Sequence, residues 1–310
     1  MPDPLLEAAT EEQSRANRLH RLRHRGHRVL VRSVHMLPSL ATLANAICGF
    51  GAIYVAGMAV EHDGASLDPL TRYFAAHRFV VAAWLIFLAM AFDALDGRLA
   101  RFTRHTTDFG GQLDSLADVI SFGAAPAFVA LQLFHDFVQK PLLLTRSVWA
   151  IGALYMSCAA IRLARFNVSN QHGEQHHYSF LGLPSPGAAA AVAAFILMHQ
   201  HLFLRGETSA AAASAAWWCV MVLPILLLAT GLLMVSGFRY PHLVNRYLRG
   251  RRSLRHLVLA LICLLLVAAT RQYAVALGTL IYAMWGPAAW VHARLKPSPS
   301  PQDQVPGGPT

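Results

Sequence analysis

The feature that most constrains this chain is a series of long apolar stretches separated by short polar ones. The hydrocarbon core of a bilayer is about 30 Å thick, and a helix that rises 1.5 Å per residue crosses it in about 20 residues. Eight stretches have roughly that length: 37–60, 77–98, 112–135, 145–165, 182–203, 211–236, 254–270 and 273–292. The sequence therefore predicts an all-α, polytopic membrane protein, a bundle of about eight transmembrane helices.

Composition and charge agree with this prediction and indicate an orientation. Of the 310 residues, 55% are hydrophobic and 14% are charged, and the net charge is +10. Most lysines and arginines fall on one side if the N-terminus and the loop between the second and third spans face the cytoplasm, as the positive-inside rule favours. The predicted location is the cell (inner) membrane. Because the basic residues adjoin spans, anionic lipid headgroups are expected as partners and nucleic acid is not.

The two ends of the chain differ from its apolar middle. Within the N-terminal segment 1–36, the stretch "RANRLHRLRHRGHRVLVR" alternates basic and apolar side chains, a pattern typical of an interfacial helix and equally of a basic tail that only sets topology. Residues 297–310, "PSPSPQDQVPGGPT", are rich in proline and are predicted to be disordered.

Acidic residues concentrate between the second and third spans, in "DALDGRLARFTRHTTDFGGQLDSLAD". Asp93 and Asp96 are three apart and share one face of a helix, while Asp114 and Asp118 are four apart and share a face of the next. Two antiparallel helices would bring all four carboxylates together, where they cannot all remain ionised without cations. Oxygen ligands alone favour hard ions, so Mg²⁺ or Mn²⁺ is expected.

Two other interpretations of these acids are open from the residues alone. Asp93 and Asp96 could pair with Arg98, Arg101 or Arg104 and merely cap helix ends. They could also bind the transported ion of a cation channel or transporter, although such proteins often show inverted repeats and sites at the bilayer midplane. Intramembrane acids are costly and usually functional, and a nearby arginine and small residues suit a phosphate-bearing substrate.

The spacing of these residues resembles the complete signature of the CDP-alcohol phosphatidyltransferase family. The matching pattern is Asp93-x-x-Asp96-Gly97-x-x-Ala100-Arg101, eight residues, then Gly110-x-x-x-Asp114-x-x-x-Asp118. The resemblance implies a helical bundle with a six-helix catalytic core. It also implies transfer of a phosphatidyl group from a CDP-activated lipid to an alcohol, with release of CMP.

The resemblance also implies a role for each matching residue. Asp93, Asp96 and Asp114 would hold one metal ion; Asp93, Asp114 and Asp118 would hold a second. Asp118 would in addition take the proton from the attacking hydroxyl, as general base. The residues expected to contact the CDP group are Gly97, Ala100, Arg101, Gly110, Thr42 and Asn45.

Further segments resemble the members of this family that use L-serine as the acceptor. They are residues 37–50, 113–127, 162–167, 180–190 and 234–243, so the catalytic core is expected to span 37–243. Ser39 is a departure, because relatives usually have Asn there. Residues 244–296 would then add a basic loop and two extra transmembrane helices.

The serine carboxylate calls for a nearby cation, so Arg162, Arg165 and Asn167 are the candidate serine-binding residues. The predicted substrates are CDP-diacylglycerol and L-serine, and the resemblance implies a homodimer. Glycerol 3-phosphate, inositol or its phosphate, and choline remain alternative acceptors.

Overall fold

A computed structural model describes residues 40–58, 68–103, 108–138, 142–171, 179–206, 209–241 and 254–295 of the chain. The predicted basic segment 1–36 and the Pro-rich tail 297–310 lie outside these residues. Helices dominate the described part, which confirms the all-α prediction.

The helices follow the apolar stretches closely. In chain order they are α1 Leu40–Ala56, α2 Pro69–Ala76, α3 Arg78–Thr103, α4 Asp108–Asp118, a π-helix Val119–Ala124, α5 Ala125–Phe137, α6 Leu142–Gln171, α7 Ser185–Gly206, α8 Ala210–Val235 and α9 Leu254–Leu295. Within the described residues, six segments are long and apolar enough to cross a membrane: Arg78–Gly97, Phe109–Phe137, Arg146–Val168, Ser185–Arg205, Ala210–Val235 and Tyr273–His292. The shorter apolar helix α1 accompanies them. The chain is a multi-pass membrane protein.

Of the two spans predicted at 254–270 and 273–292, the second is confirmed as the candidate span Tyr273–His292, whereas the predicted break between the two is wrong. The structure has one continuous helix, α9, of 42 residues in their place. The polar residues Thr270, Arg271 and Gln272 between the two apolar stretches include no glycine or proline, so nothing in the sequence forces a turn. At 1.5 Å per residue α9 is about 63 Å long, roughly twice the thickness of a bilayer core.

Helix α7 lies at the centre of the bundle and packs against α3, α8 and α9. Its sequence "GAAAAVAAF" places small side chains on every face, and Ala188, Ala189, Val192 and Ala193 are fully buried. Small residues let helix backbones approach closely in a membrane, where dispersion contacts replace the hydrophobic effect as the source of stability. This composition explains how α7 can pack closely against three neighbouring helices.

A two-stranded antiparallel ribbon, which the sequence analysis did not predict, joins two loops. Strand β1, Ser179–Leu181, precedes α7, and strand β2, Arg239–Pro241, follows α8. After β1, Gly182 has a φ of +81°, and its N–H donates to the carbonyl of Phe238 at 2.8 Å. A side chain at residue 182 would meet the carbonyl of Met234, so the position needs glycine for both conformation and space.

Candidate active site

Three of the predicted acids meet where α3 and α4 face each other. Asp93, Asp114 and Asp118, called here the acid cluster, each place a carboxylate oxygen within 4.8 Å of the others. The i, i+4 spacing puts the two α4 residues on one face, as the sequence predicted. Asp118 is buried at 7% exposure, whereas the other two are partly exposed, so the cluster is open on one side.

Helix α1 supplies a neutral hydrogen-bond donor to each of two buried acids. Asn45 Nδ2 donates to Asp118 Oδ1 at 3.0 Å, and Thr42 Oγ1 donates to Asp96 Oδ2. Asp96 is itself buried beside the acid cluster and interacts electrostatically with Asp114. The Oδ1 atom of Asn45 is buried and has no hydrogen-bond partner within the described part of the chain. It is therefore available to accept a hydrogen bond from a ligand.

A π-helix begins directly after Asp118 and fixes the direction in which α4 leaves the site. The widened turn is seen where the N–H of Ala125 bonds to the carbonyl of Ile120, and π-helical turns often occur at functional sites. Ser121 Oγ donates to the backbone carbonyl of Asn45 at 2.9 Å, and Tyr155 Oη donates to that of Phe122 at 3.1 Å. These two bonds tie the turn to α1 and to α6.

Glycine positions leave room beside the acids. Among the described residues, a Cβ added to Gly97 or to Gly111 would meet no atom within 4 Å, so the backbone there has open space beside it. Gly110 is partly exposed in the first turn of α4. Helix α3 continues through Ala100 and Arg101, but the side chains of these two residues lie outside the described part of the chain.

The three residues predicted to bind serine have different surroundings. Arg162 is partly buried, donates from Nη1 to Ser185 Oγ at 3.0 Å, and lies within electrostatic reach of Asp118. Arg165 is exposed. Asn167 donates from Nδ2 to Ser115 Oγ at 2.9 Å and so braces α4 between its two acids.

Sequence reasoning missed the residues that hold the named ones in place, among them Ser115, Ser121, Tyr155 and Ser185. The position of Ser115 beside Asp114 was a possible signal, since any residue between the two α4 acids must lie near the site. Ser185 lies in the stretch "LGLPSPG", within the segment 180–190 that resembles the serine-using members of the family, but the resemblance singled out no residue in it. Tyr155 gave no signal, because a tyrosine in an apolar helix is an ordinary core residue.

The chemistry of the donor set fits a hard divalent cation. The cluster offers carboxylate oxygens only, at distances that one ion or a close pair of ions can bridge, with neutral Asn and Thr donors around them. The partly exposed side gives a phosphate access. Such a site can bind a metal and, through it, an anionic group.

The chain belongs to the CDP-alcohol phosphatidyltransferase family, whose model matches residues 35–227. The match contains all four acids and α1 to α7 with most of α8. It ends before β2 and α9. The protein is thus an enzyme of the class that forms phosphodiester lipids.

Curated relatives include proteins named for one acceptor. A CDP-diacylglycerol–serine O-phosphatidyltransferase of Helicobacter pylori (strain ATCC 700392 / 26695) is 31% identical over 268 residues, 86% of this chain and 95% of the relative. An enzyme of the same name from Methanocaldococcus jannaschii is 33% identical over 52% of this chain and 64% of the relative. An archaetidylserine synthase of Methanothermobacter thermautotrophicus is 33% identical over 66% and 69% respectively.

Proposed function

We propose that this protein transfers the phosphatidyl group of CDP-diacylglycerol to the hydroxyl of L-serine and releases CMP. The observation that carries the proposal is the acid cluster with the partly buried Arg162 within electrostatic reach of Asp118. The names of the relatives support serine, since both the CDP-diacylglycerol–serine O-phosphatidyltransferase and the archaetidylserine synthase are named for it.

The acid cluster would hold the metal. Asp93, Asp114 and Asp118 offer one shared site, and Asp96, buried beside them, would complete a second with Asp93 and Asp114. We infer two ions per site, Mg²⁺ or Mn²⁺, because only oxygen ligands are present in the cluster. When bound, such ions neutralise a diphosphate and stabilise charge on the leaving nucleotide.

The CDP group would lie against the glycines at the open side of the cluster. Among the described residues, a Cβ at Gly97 would meet no atom within 4 Å, and Gly110 lies in the first turn of α4. Asn45 has a free Oδ1, which would accept a hydrogen bond from a donor on the ligand, and Thr42 lies one turn away on α1. Ala100 and Arg101, one turn beyond Gly97 on α3, are proposed to complete this side.

Arg162 is the proposed anchor for the serine carboxylate. Its Nε is buried without a hydrogen-bond partner among the described residues, while Nη1 is used by Ser185. A carboxylate accepts from such an N–H strongly. Arg165, one turn further along α6, would attract the anion from solvent, and Asn167 would contribute by holding Ser115 and α4 in place.

The reaction then needs one proton transfer. The serine oxygen forms a bond to the phosphorus that carries diacylglycerol, the bond from that phosphorus to CMP breaks, and CMP leaves with the electron pair. Asp118 takes the hydroxyl proton on a carboxylate oxygen. Its hydrogen bond from Asn45 orients the carboxylate for this task without supplying a charge.

Location and assembly extend the proposal. The site opens at the end of the bundle where α3 ends and α4 begins, and we infer that this end faces the cytoplasm of a cell inner membrane, where serine and CDP-diacylglycerol meet. The catalytic core is proposed as residues 37–243, with a homodimer formed through membrane helices. Anionic headgroups would contact the basic loops.

The test is CMP release from CDP-diacylglycerol by purified protein in detergent with Mn²⁺ or Mg²⁺. L-serine, glycerol 3-phosphate, inositol, inositol phosphate and choline are added separately. Release that depends on serine supports the proposal. Release with another alcohol keeps the class of reaction and overturns the acceptor, and no release with any of them argues against transfer to these alcohols.

A further inference from the structure

We propose that Tyr282, on α9, is an acceptor-positioning residue whose phenol acts with Arg162 on the carboxylate of the alcohol substrate. This inference rests on the proposed function and deepens it. Helix α9 lies beyond the residues that the family model matches, which end at 227. A helix outside the matched core would therefore form part of the acceptor pocket.

Helix α9 is fixed at the end of the bundle that carries the site. Tyr240, in β2, donates from its hydroxyl to the carbonyl of Ala283 at 2.8 Å, and its ring centroid lies 5.8 Å from that of Tyr282. Burial raises the pKa of Tyr240 to about 12, so the hydroxyl stays protonated and able to donate. A Cβ at Gly286 would lie 2.6 Å from the Tyr240 ring, so glycine is needed for this close approach.

The Tyr282 ring lies on the first turn of α7. A Cβ added to Gly187 would come within 3.0 Å of Tyr282 Cε1, so the absence of a side chain there makes room for the ring. The same turn begins at Ser185, which is fully buried and accepts the hydrogen bond from Arg162. The start of α7 and the middle of α9, which are far apart in the sequence, thus lie together near Arg162.

Arg162 lies within electrostatic reach of two groups, the Asp118 carboxylate and the Tyr282 phenol. Its Nε–H is buried and unpaired within the described residues. An unpaired guanidinium N–H calls for an acceptor, and the Tyr282 phenol, within electrostatic reach of the same guanidinium, would provide a second donor to that acceptor. A substrate carboxylate satisfies both, and its position near Asp118 would set the hydroxyl of the same molecule beside the proposed base.

The experiment compares Tyr282→Phe with Tyr273→Phe in the CMP-release assay. Both variants lose one hydroxyl from α9, but Tyr273 packs on His201, with ring centroids 5.4 Å apart, and has no part in the proposed pocket. Tyr282→Phe is expected to raise the KM for L-serine about tenfold, the effect of losing one hydrogen bond to a charged group. The KM for CDP-diacylglycerol and kcat should change less than about twofold, and Tyr273→Phe should match the wild type.

A second variant tests the same contact from α7. Gly187→Ala should displace the Tyr282 ring and raise the KM for serine as well, and the double variant Gly187→Ala with Tyr282→Phe should be less than additive. Thermal unfolding of each variant with and without CMP shows whether the fold and the nucleotide site are intact.

Each possible result either supports or overturns the role of Tyr282. An unchanged KM for serine in Tyr282→Phe overturns the inference, and so does an equal rise in both KM values with a lower unfolding temperature, because that pattern marks a packing role. If the wild type releases CMP with serine and only the inference fails, the proposed function stands. If the wild type does not use serine, both are overturned.

Discussion

The aspartate near the start of α3 and the aspartates near its end have different surroundings. Asp136, at the end of α5, forms an ion pair with Arg78 at the start of α3, and the same guanidinium donates to the carbonyl of Met58. The acid cluster lies at the other end of α3. The hydrogen-bond donor to Asp118 is the neutral amide of Asn45, and no arginine or lysine forms a salt bridge with the cluster among the residues that the structure describes, although Arg162 lies within electrostatic reach of Asp118.

We interpret the difference as one between a structural carboxylate, Asp136, and the carboxylates that we propose to be functional. An arginine neutralises Asp136, so that acid needs nothing further. A neutral donor such as Asn45 orients the Asp118 carboxylate but does not neutralise its charge. Several carboxylates that place oxygens within 4.8 Å of one another repel each other unless a cation lies between them. The acid cluster is therefore the end of α3 where we propose that a ligand binds, whereas the ion pair of Asp136 leaves no charge for a ligand to neutralise.

The sharpest test exchanges one aspartate at each end for its isosteric amide. Asp118→Asn removes the proposed base and should lower CMP release by at least about a hundredfold, within the range for general-base removal. Asp136→Asn should leave activity per folded molecule nearly unchanged, since its partner lies far from the cluster. Initial rates on size-exclusion-purified protein measure both. Equal losses in the two variants would contradict the distinction between the two ends.

Metal removal should affect only the cluster. A chelator should abolish CMP release and Mn²⁺ should restore it. At 100 times its Kd, Mn²⁺ should stabilise the fold by about 2.7 kcal/mol, because it binds the folded state. Thermal unfolding with and without Mn²⁺ measures this, and Asp114→Asn should lose most of the shift. Activity that survives exhaustive chelation would rule out the metal role.

The neutral donor can be tested separately from the charges. Asn45→Ala removes the hydrogen bond to Asp118 and should lower kcat/KM about ten- to a hundredfold, since a bond to a charged group contributes about 1.5–3 kcal/mol. Ser121→Ala, which loses only the bond to the backbone carbonyl of Asn45, should have a smaller effect. A larger loss from Ser121→Ala would mean that the π-helix, rather than the amide, positions the base.

The smallest expected effect is at the structural end. Arg78→Met should lower the free energy of unfolding by about 1 kcal/mol, typical of a partly exposed ion pair, while activity per folded molecule is retained. The double variant Arg78→Met with Asp136→Asn should be only slightly less stable than Arg78→Met alone, because the single substitution already removes the ion pair. Chemical or thermal unfolding in detergent gives the comparison, and additive losses would show that the two residues act independently.

Much of the fold was predictable because the membrane imposes a simple length rule. Six apolar stretches became helices near their predicted bounds, and three of the four predicted acids met, Asp93 on α3 and the i, i+4 pair Asp114 and Asp118 on α4. The rule failed at α9. A polar residue such as Arg271 lowers the local hydropathy and so suggests a loop, but it does not end a helix when no glycine or proline accompanies it.

The sequence by itself determined the membrane bundle, the location of the acids on two helices and, through their spacing, the family. Those properties depend on local periodicity and on residue chemistry. Only the tertiary structure decided that Asn45 and Thr42 bond to the acids, that Arg162 bonds to Ser185, and that α9 brings Tyr282 to the start of α7. Such contacts join residues far apart in the chain, and no pattern within a single helix encodes which neighbour it will pack against.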